Sequence, residues 1–500
     1  MKTKKILLLL TLGSLTISMS GCFFFRKTNL TELDKANVTY SYKDYTARNV
    51  FDIDSTPLTG SPKLLVIPVW FTDSSEYVNN KYQVREDIED AYFGSPETTG
   101  WNSVSSYYQT LSNGKVNITG TVADWYECGQ SASYYAYSET TTVQLVKDAT
   151  NYYFSHTNDS RRDYDYDGNG YLDGVMLIYA APDYQSYAIG SNLWAYCYWV
   201  QTLSPNVNNP QPNTFFWASY DFMYGNGDGE KYHNGETSHS RIDTHTFIHE
   251  MGHAFGLQDY YDYSSQTSPA GGFSMQDYNV GSHDPYSALA LGWADALIPT
   301  ESCTVKLSSF QDSHQVILLK NSSFNGSPFD EYLLLEYYTP TGLNQFDTKY
   351  GYKFGYPRGV DSVGVRLWHI DARLIRITDV NNASTYKVTN TFEDGYGYYH
   401  AFSNTRYSSS SADHASPLGP SYSSHNILYL VRNSKTMTYS TSKAFNKDDL
   451  FKKGDSFDAS TFKKQFPKGT KFDNGEEINW SFSVKKTTSN EVIIKLTKKK

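Results

Sequence analysis

The chain has 500 residues, 39% of them hydrophobic and 16% aromatic, with a formal net charge of −10. That length provides two or three domains with sizeable cores once terminal segments are set aside. The acidic balance excludes nucleic acid as the natural partner, because phosphate binding is driven by Lys and Arg, and the 44 tyrosines favour β-rich structure with wet, amphipathic surfaces.

The amino terminus reads as an export signal. Lys2, Lys4 and Lys5 precede the apolar run Ile6 to Ile17, and small residues lead on to Cys22. Charged, apolar and cleavage regions in that order make 1–21 a secretory signal, with an apolar stretch too short for a membrane span. Met19-Ser20-Gly21-Cys22 matches a bacterial lipobox, so Cys22 is expected to carry the lipid that ties an exported, cell-surface lipoprotein to the membrane; a cleaved signal with an incidental cysteine is the competing reading. Residues 22–58, polar and unpatterned after Phe23-Phe24-Phe25, read as a tether or short pro-segment.

From 59 to 300 the pattern alternates. Strand 63–72, helices near 84–93 and 101–111, strand 115–122, a helix near 141–154 and strand 174–180 predict a mixed sheet covered by helices. Ahead of the last strand, Asp163 to Asp173 alternates carboxylates with a glycine turn, a pattern that points oxygens inward around a hard cation. The register starting at Asp165 supplies Asp165, Asp167, Asn169 and Asp173, with the Tyr171 carbonyl as an added oxygen, and calcium is the expected ion. No Glu closes it as in a full EF-hand, so the loop is EF-like and leads directly into Val175-Met176-Leu177-Ile178-Tyr179. The remaining cysteines, Cys128, Cys197 and Cys303, are odd in number and lack CxxC spacing; they allow one disulfide, and Cys197, in an aromatic run, reads as an inert thiol. Residues 201–240 read as polar and loop-rich.

The segment His249-Glu250-Met251-Gly252-His253-Ala254-Phe255-Gly256-Leu257-Gln258-Asp259 carries the chemistry. On a helix spanning about 242–255, two histidines four positions apart lie one turn up the same face, and their ring nitrogens can converge on one zinc ion. Glu250, beside the first ligand, is placed to act as general base on a water. Gly256 can leave the helix in a left-handed conformation and bring Asp259 back as third ligand, with Asp262 and Asp277 in reserve. A second-helix Glu ligand is excluded, since no Glu occurs between His253 and Glu301.

Downstream, Gly271-Gly272-Phe273-Ser274-Met275-Gln276-Asp277-Tyr278-Asn279 offers Met275 for a methionine-bearing turn beneath the metal. Together with Val66-Ile67-Pro68-Val69-Trp70-Phe71-Thr72-Asp73, Ser103 to Tyr108, Ser112-Asn113-Gly114-Lys115 and Leu291-Gly292-Trp293, this pattern resembles the M6 peptidases, the immune inhibitor A-like secreted metalloproteases, over most of residues 60–300. The resemblance implies zinc on His249, His253 and Asp259, Glu250 as catalytic base, and proteins as substrates. Two departures stand out: Ser274 occupies a position that is acidic in many relatives, and Tyr278 lies one place later than the metal-proximal tyrosine of some metzincins. Tyr278 is therefore a candidate for transition-state support weighed against a packing role.

After 300 the pattern changes to short apolar strands, at 303–307, 315–319, 332–337, 363–368 and 492–496, separated by Gly, Asn, Ser and Pro turns, as in a sandwich. Ser408 to Pro420 reads as a mobile loop, His369 and Asp371 in Trp368-His369-Ile370-Asp371 as packed or edge residues, and the lysines from Lys485 to Lys500 as a solvated edge. The expected fold is α+β: a zincin-type catalytic domain over 59–300, with a mixed twisted sheet and an active-site helix, followed by a β-rich, sandwich-like region over 301–500. The expected function is a zinc metalloendopeptidase, a monomer acting on protein or peptide substrates, with Zn2+ and Ca2+ as its ions. The competing class is a surface adhesion or binding lipoprotein that retains a zinc site without turnover.

Overall fold

The computed structural model describes residues 37–40 and 45–499, apart from 52, 55, 185–189, 225–241, 350–358, 377–387, 390–397, 406–417, 419–421, 423 and 440. Strands β1 (Asn37–Tyr40) and β2 (Lys63–Trp70) go to different sheets. β2 is apolar at nearly every position and buried along its middle, which a strand can be only inside a layered fold. It lies parallel to β3 (Thr119–Val122), to the short β4 (Tyr126–Glu127) and to β5 (Val175–Tyr179). β5 in turn lies parallel to β7 (Thr214–Ser219), and β6 (Tyr196–Trp199) ends the sheet antiparallel to β7.

Side-chain alternation gives this sheet two cores. Leu65, Ile67, Val69, Leu177 and Trp217 pack with Leu145, Val146 and Ala149 of the helix Glu139–His156. Leu64, Val66, Ile178 and Phe216 share the opposite core with residues of the helices Lys81–Phe93, Val104–Leu111 and His245–Ala254. The helix expected near 101–111 is Val104–Leu111, and a separate short helix, Pro96–Thr99, precedes it. Gly100 ends the short helix at φ +81°, and Ser103 starts the longer one with a capping box in which Ser103 and Ser106 satisfy each other's backbone amides. β7 corrects the loop-rich reading of 201–240: Thr214-Phe215-Phe216-Trp217-Ala218-Ser219 is wholly buried, a six-residue strand inside a polar surround.

The second sheet runs β1, β8 (Asp295–Pro299), β10 (Gln315–Lys320), β11 (Glu331–Tyr338), β12 (Gly364–Asp371) and β16 (Leu428–Val431); only β8 and β10 are parallel, and the short strands β13 (Leu374–Arg376), β14 (Val388–Thr389) and β15 (Tyr398–His400) pair in a sheet of their own. Both of its faces are buried. Val316, Leu318, Leu334, Trp368, Ile370, Leu428 and Leu430 belong to the core that contains the helix His245–Ala254. Ile317, Leu319, Leu333, Leu335, Leu367 and Val431 face the third sheet, β17 (Ser456–Asp458), β18 (Trp480–Thr487), β19 (Glu491–Lys498) and β9 (Cys303–Ser308), through Val305, Leu307, Phe457, Phe482, Ile494 and Leu496. Each such aliphatic side chain contributes about 1.5–3 kcal/mol by leaving water. The chain is thus α+β, and its buried core runs without a break across residue 300.

Exposed Lys485, Lys486 and Lys495 correct the edge reading of the carboxy-terminal lysines. β18 and β19 are inner strands of their sheet, so these lysines form its solvated outer face, opposite buried Val492, Ile494 and Leu496. The segment expected as tether or pro-segment is in part docked: β1 pairs with β8, and Ala47 and Val50 of the helix Ala47–Phe51 are buried. Trp293 Nε1 donates to the Leu58 carbonyl at 2.8 Å. The signal region, Cys22 and nearly all of the Ser408–Pro420 loop lie outside the described residues. Among those described, no helix is long and apolar enough to cross a membrane, and Cys128, Cys197 and Cys303 form no disulfide with one another.

Candidate metal centre

The helix His245–Ala254 turns one apolar face inward. Phe247, Ile248, Met251 and Ala254 are buried in the core, the Phe247 ring stands 5.5 Å from Tyr92 and 5.4 Å from Phe216, and Tyr108 Oη donates to the Ile248 carbonyl at 2.6 Å. His249 and His253 occupy the other face, four residues apart, with rings 4.9 Å from each other. The helix ends in a Schellman motif: Gly256 N–H reaches the His253 carbonyl at 2.8 Å and Leu257 N–H the Gly252 carbonyl at 3.0 Å. Gly256 takes φ +99°, the left-handed turn expected of it, and a Cβ there would fall 2.9 Å from Ile53 Cδ1.

That turn brings Asp259 back to the two imidazoles. Asp259 Oδ1 stands 2.9 Å from His249 Nε2 and 3.4 Å from His253 Nε2. The outer ring nitrogens are already committed: His249 Nδ1 is 2.7 Å from the Met275 carbonyl and His253 Nδ1 is 2.9 Å from that of Leu257. With Nδ1 donating, each neutral ring presents its Nε2 lone pair to a carboxylate oxygen, an arrangement that requires a cation between them. Protons supply one when no metal does. Burial disfavours charge on both rings, but Asp259 outweighs it and raises His249 and His253, the latter to about 9, while the imidazoles hold Asp259 well below the usual carboxylate range against the same burial. The donor set of two imidazoles and one carboxylate therefore fits a divalent metal ion.

Glu250 is 6% exposed and lies beside both rings. Burial pushes its carboxyl up, against the pull of His253 and His249, and the Cys197 backbone of β6 hydrogen-bonds to it. Burial, then Glu250, also raises the Cys197 thiol, which keeps that thiol neutral.

Met275 is fully buried, and its carbonyl orients His249, so the turn beneath the site acts through the backbone. Gly271 and Gly272 both have positive φ, and Gly272 N–H donates to Asp277 Oδ2 at 2.8 Å. Burial raises Asp277 to about 7. Asp262 is spent on its own turn, accepting from Ser264 N–H at 3.0 Å and Thr267 N–H at 2.9 Å. Neither reserve ligand joins the His249, His253 and Asp259 group. Ser274 donates to Asp284 Oδ2 at 2.7 Å. Tyr278 is 43% exposed, and its ring lies tilted against Tyr261 at 4.9 Å.

Several supporting residues were not singled out by the sequence. Tyr263 Oη donates to Asp259 Oδ2 and receives Tyr261 Oη at 3.2 Å, and Tyr261 stacks on His249 at 6.4 Å. Gln276 Oε1 receives His283 Nε2 at 3.0 Å, and Tyr107 Oη lies 2.9 Å from His283 Nδ1. Gln276 also explains Gly252, because a Cβ at that position would fall 2.3 Å from Gln276 Oε1. His245 is buried one turn before His249, and burial lowers it to about 3. Gln276 and Tyr107 lie inside stretches that carry the resemblance, but nothing in the spacing gives them these partners; for Tyr261 and Tyr263 the local signal was the density of tyrosines after Asp259.

The Asp165–Asp173 loop is arranged differently from a set of converging ligands. Asp165 accepts Asn169 N–H and Gly170 N–H at 3.0 Å each, and Asn169 Oδ1 accepts Tyr171 N–H at 2.8 Å. Arg48 pairs with Asp167 Oδ2, and Asp173 accepts Lys63 N–H at 2.8 Å and Tyr166 N–H at 3.0 Å. Backbone amides and a guanidinium take up the negative charge, and the three carboxylates do not form one of the metal-capable groups found among the described residues. Burial raises Asp173 to about 7.

No protein-family model matches the chain, and a search of curated proteins finds no match.

Proposed function

We propose that the chain is a zinc-dependent endopeptidase of the kind its motifs resemble, the M6 peptidases, exported and held at the bacterial surface through Cys22. The observation that carries this reading is the meeting of His249 Nε2, His253 Nε2 and Asp259 Oδ1, with a buried carboxylate, Glu250, on the same helix. The scaffold supports it: a helix-covered mixed sheet whose last strand, β6, is antiparallel and lies against that helix suits a zincin-type catalytic domain.

His249, His253 and Asp259 would hold the ion, which when bound supplies Lewis acidity to acidify a water and polarise a scissile carbonyl. The chain's own part is proton handling and positioning. Glu250, its carboxyl raised by burial, takes the proton of the attacking water and passes it to the departing amine. Carbonyls at 257 and 275 fix the imidazole tautomers, and Tyr263 holds the carboxylate ligand. An extended peptide laid along β6 would pair with its backbone, which places substrate beside Glu250 and makes sequence selectivity depend on side-chain pockets.

The test is cleavage of an unfolded protein by the purified chain and by Glu250→Gln. Loss of the base is expected to slow turnover by about 10²- to 10⁴-fold without releasing the metal. Equal cleavage by both proteins refutes the role of Glu250, and a zinc-loaded wild type that cleaves nothing returns the protein to the class of surface binding proteins.

A further inference from the structure

A second group of ligand-type side chains is buried where β11, β12 and two later loops meet. Glu331 starts β11 directly opposite Asp371 at the end of β12, and like charges facing across a strand pair repel. His425 and Asp473 come in from the loops, and Glu331, His369, Asp371, His425 and Asp473 are all at most 9% exposed. Arg373 is the cation on this group, bonded to Asp371 at 2.6 and 2.7 Å. Three carboxylates against one guanidinium leave two negative charges when the imidazoles are neutral, and removing such a charge from water without a counter-ion is costly.

The hydrogen bonds do not discharge it. Glu331 is fully engaged, accepting His369 Nε2 at 2.9 Å, Asn474 N–H at 2.8 Å and Asp473 N–H. Asp473 and His425 are not: Asp473 Oδ1 and His425 Nδ1 are buried and have no hydrogen-bond partner. His425 Nδ1 stands 3.7 Å from both Asp371 Oδ2 and Asp473 Oδ2, beyond hydrogen-bond reach. Two ligand atoms each about 2.1 Å from one ion, at angles between tetrahedral and trigonal, stand about 3.4–3.6 Å apart, close to that separation. A small cavity lined by His369, Ser424, Asn426 and Asp473, among others, adjoins the group.

We infer that Asp371, His425 and Asp473 form a second, structural site for a divalent cation of the zinc class, buttressed by Glu331 and His369. The imidazole donor selects zinc over calcium, which prefers an all-oxygen set. An ion there would tie β12 to the 425 and 473 loops and stabilise the native state alone, because the unfolded chain does not hold these residues together. This inference is independent of the proposed peptidase activity.

The experiment counts zinc per chain by mass spectrometry after desalting from zinc chloride, and follows Tm with and without zinc. Wild type is expected to keep two zinc ions. His249→Ala with His253→Ala should keep one and still gain Tm with zinc, and adding His425→Ala with Asp473→Asn should remove both responses. Asp473→Asn alone should weaken zinc at the second site at least about tenfold. The inference is overturned if the folded His249→Ala, His253→Ala protein keeps no zinc, if the second pair of substitutions leaves its zinc content unchanged, or if calcium displaces zinc from it. Should that background fail to fold, wild type keeping a single zinc that His425→Ala with Asp473→Asn does not alter overturns it equally.

Discussion

Tyr263→Phe isolates one bond behind the proposed metal site. The substitution removes a single oxygen and leaves the ring, which packs 4.7 Å from Tyr261, in place. What is lost is the donation from Tyr263 Oη to Asp259 Oδ2, a bond between a neutral phenol and a buried carboxylate. Burial, then Asp259, pushes the phenol above its ordinary range, so it is a proton donor at every accessible pH. A hydrogen bond to a charged group contributes about 1.5–3 kcal/mol, and at about 1.4 kcal/mol per factor of ten the zinc dissociation constant should rise about 10- to 100-fold. Tyr261→Phe removes only the donor behind Tyr263, 3.2 Å away, and should weaken zinc by a few-fold at most. Competition with a chelator of known affinity measures both. If Tyr263→Phe binds zinc within twofold of wild type, or less weakly than Tyr261→Phe, then Tyr263 does not orient the third ligand and this account of the site is wrong.

Gly252→Ala drives a methyl into Gln276, whose side chain His283 holds in place, so overpacking of about 1–3 kcal/mol exceeds the gain of about 1 kcal/mol from alanine's helix preference; a Tm above wild type would show that Gln276 has room to yield. Because Arg48 and backbone amides already take up the charge of the Asp165–Asp173 loop, calcium is expected to raise the wild-type Tm little, and Arg48→Ala should strengthen that response a few-fold by removing a competing surface cation contributing about 0.2–1 kcal/mol. A calcium effect that survives Asp165→Ala with Asp167→Ala would place the ion elsewhere. Leu334→Ala should cost about 2–5 kcal/mol, and because its core reaches both the second sheet and the helix His245–Ala254, calorimetry of the variant should still give one transition. Two separated transitions would mean that the halves unfold independently.

The sequence by itself determined the features that depend on local spacing. Histidines four apart share a helix face whatever the surroundings, Gly256 permits the left-handed turn because it lacks a Cβ, and short apolar runs bounded by turn residues mark β11, β12 and β19 as strands. Tertiary structure alone decided what depends on elements far apart in the chain. β7 is not legible in the sequence because four apolar residues, Phe215 to Ala218, in a polar surround carry no helix or strand period long enough to read. Tyr263, Gln276 and His283 acquire their roles only when the turn after Gly271 folds beneath the helix. His369 and Asp371, which read as packing residues on one strand, meet His425 and Asp473 only because sheet register and loop closure place four distant segments at one point. Spacing along the chain fixes which side chains share a face, whereas a buried charge finds its partner only in the packed fold.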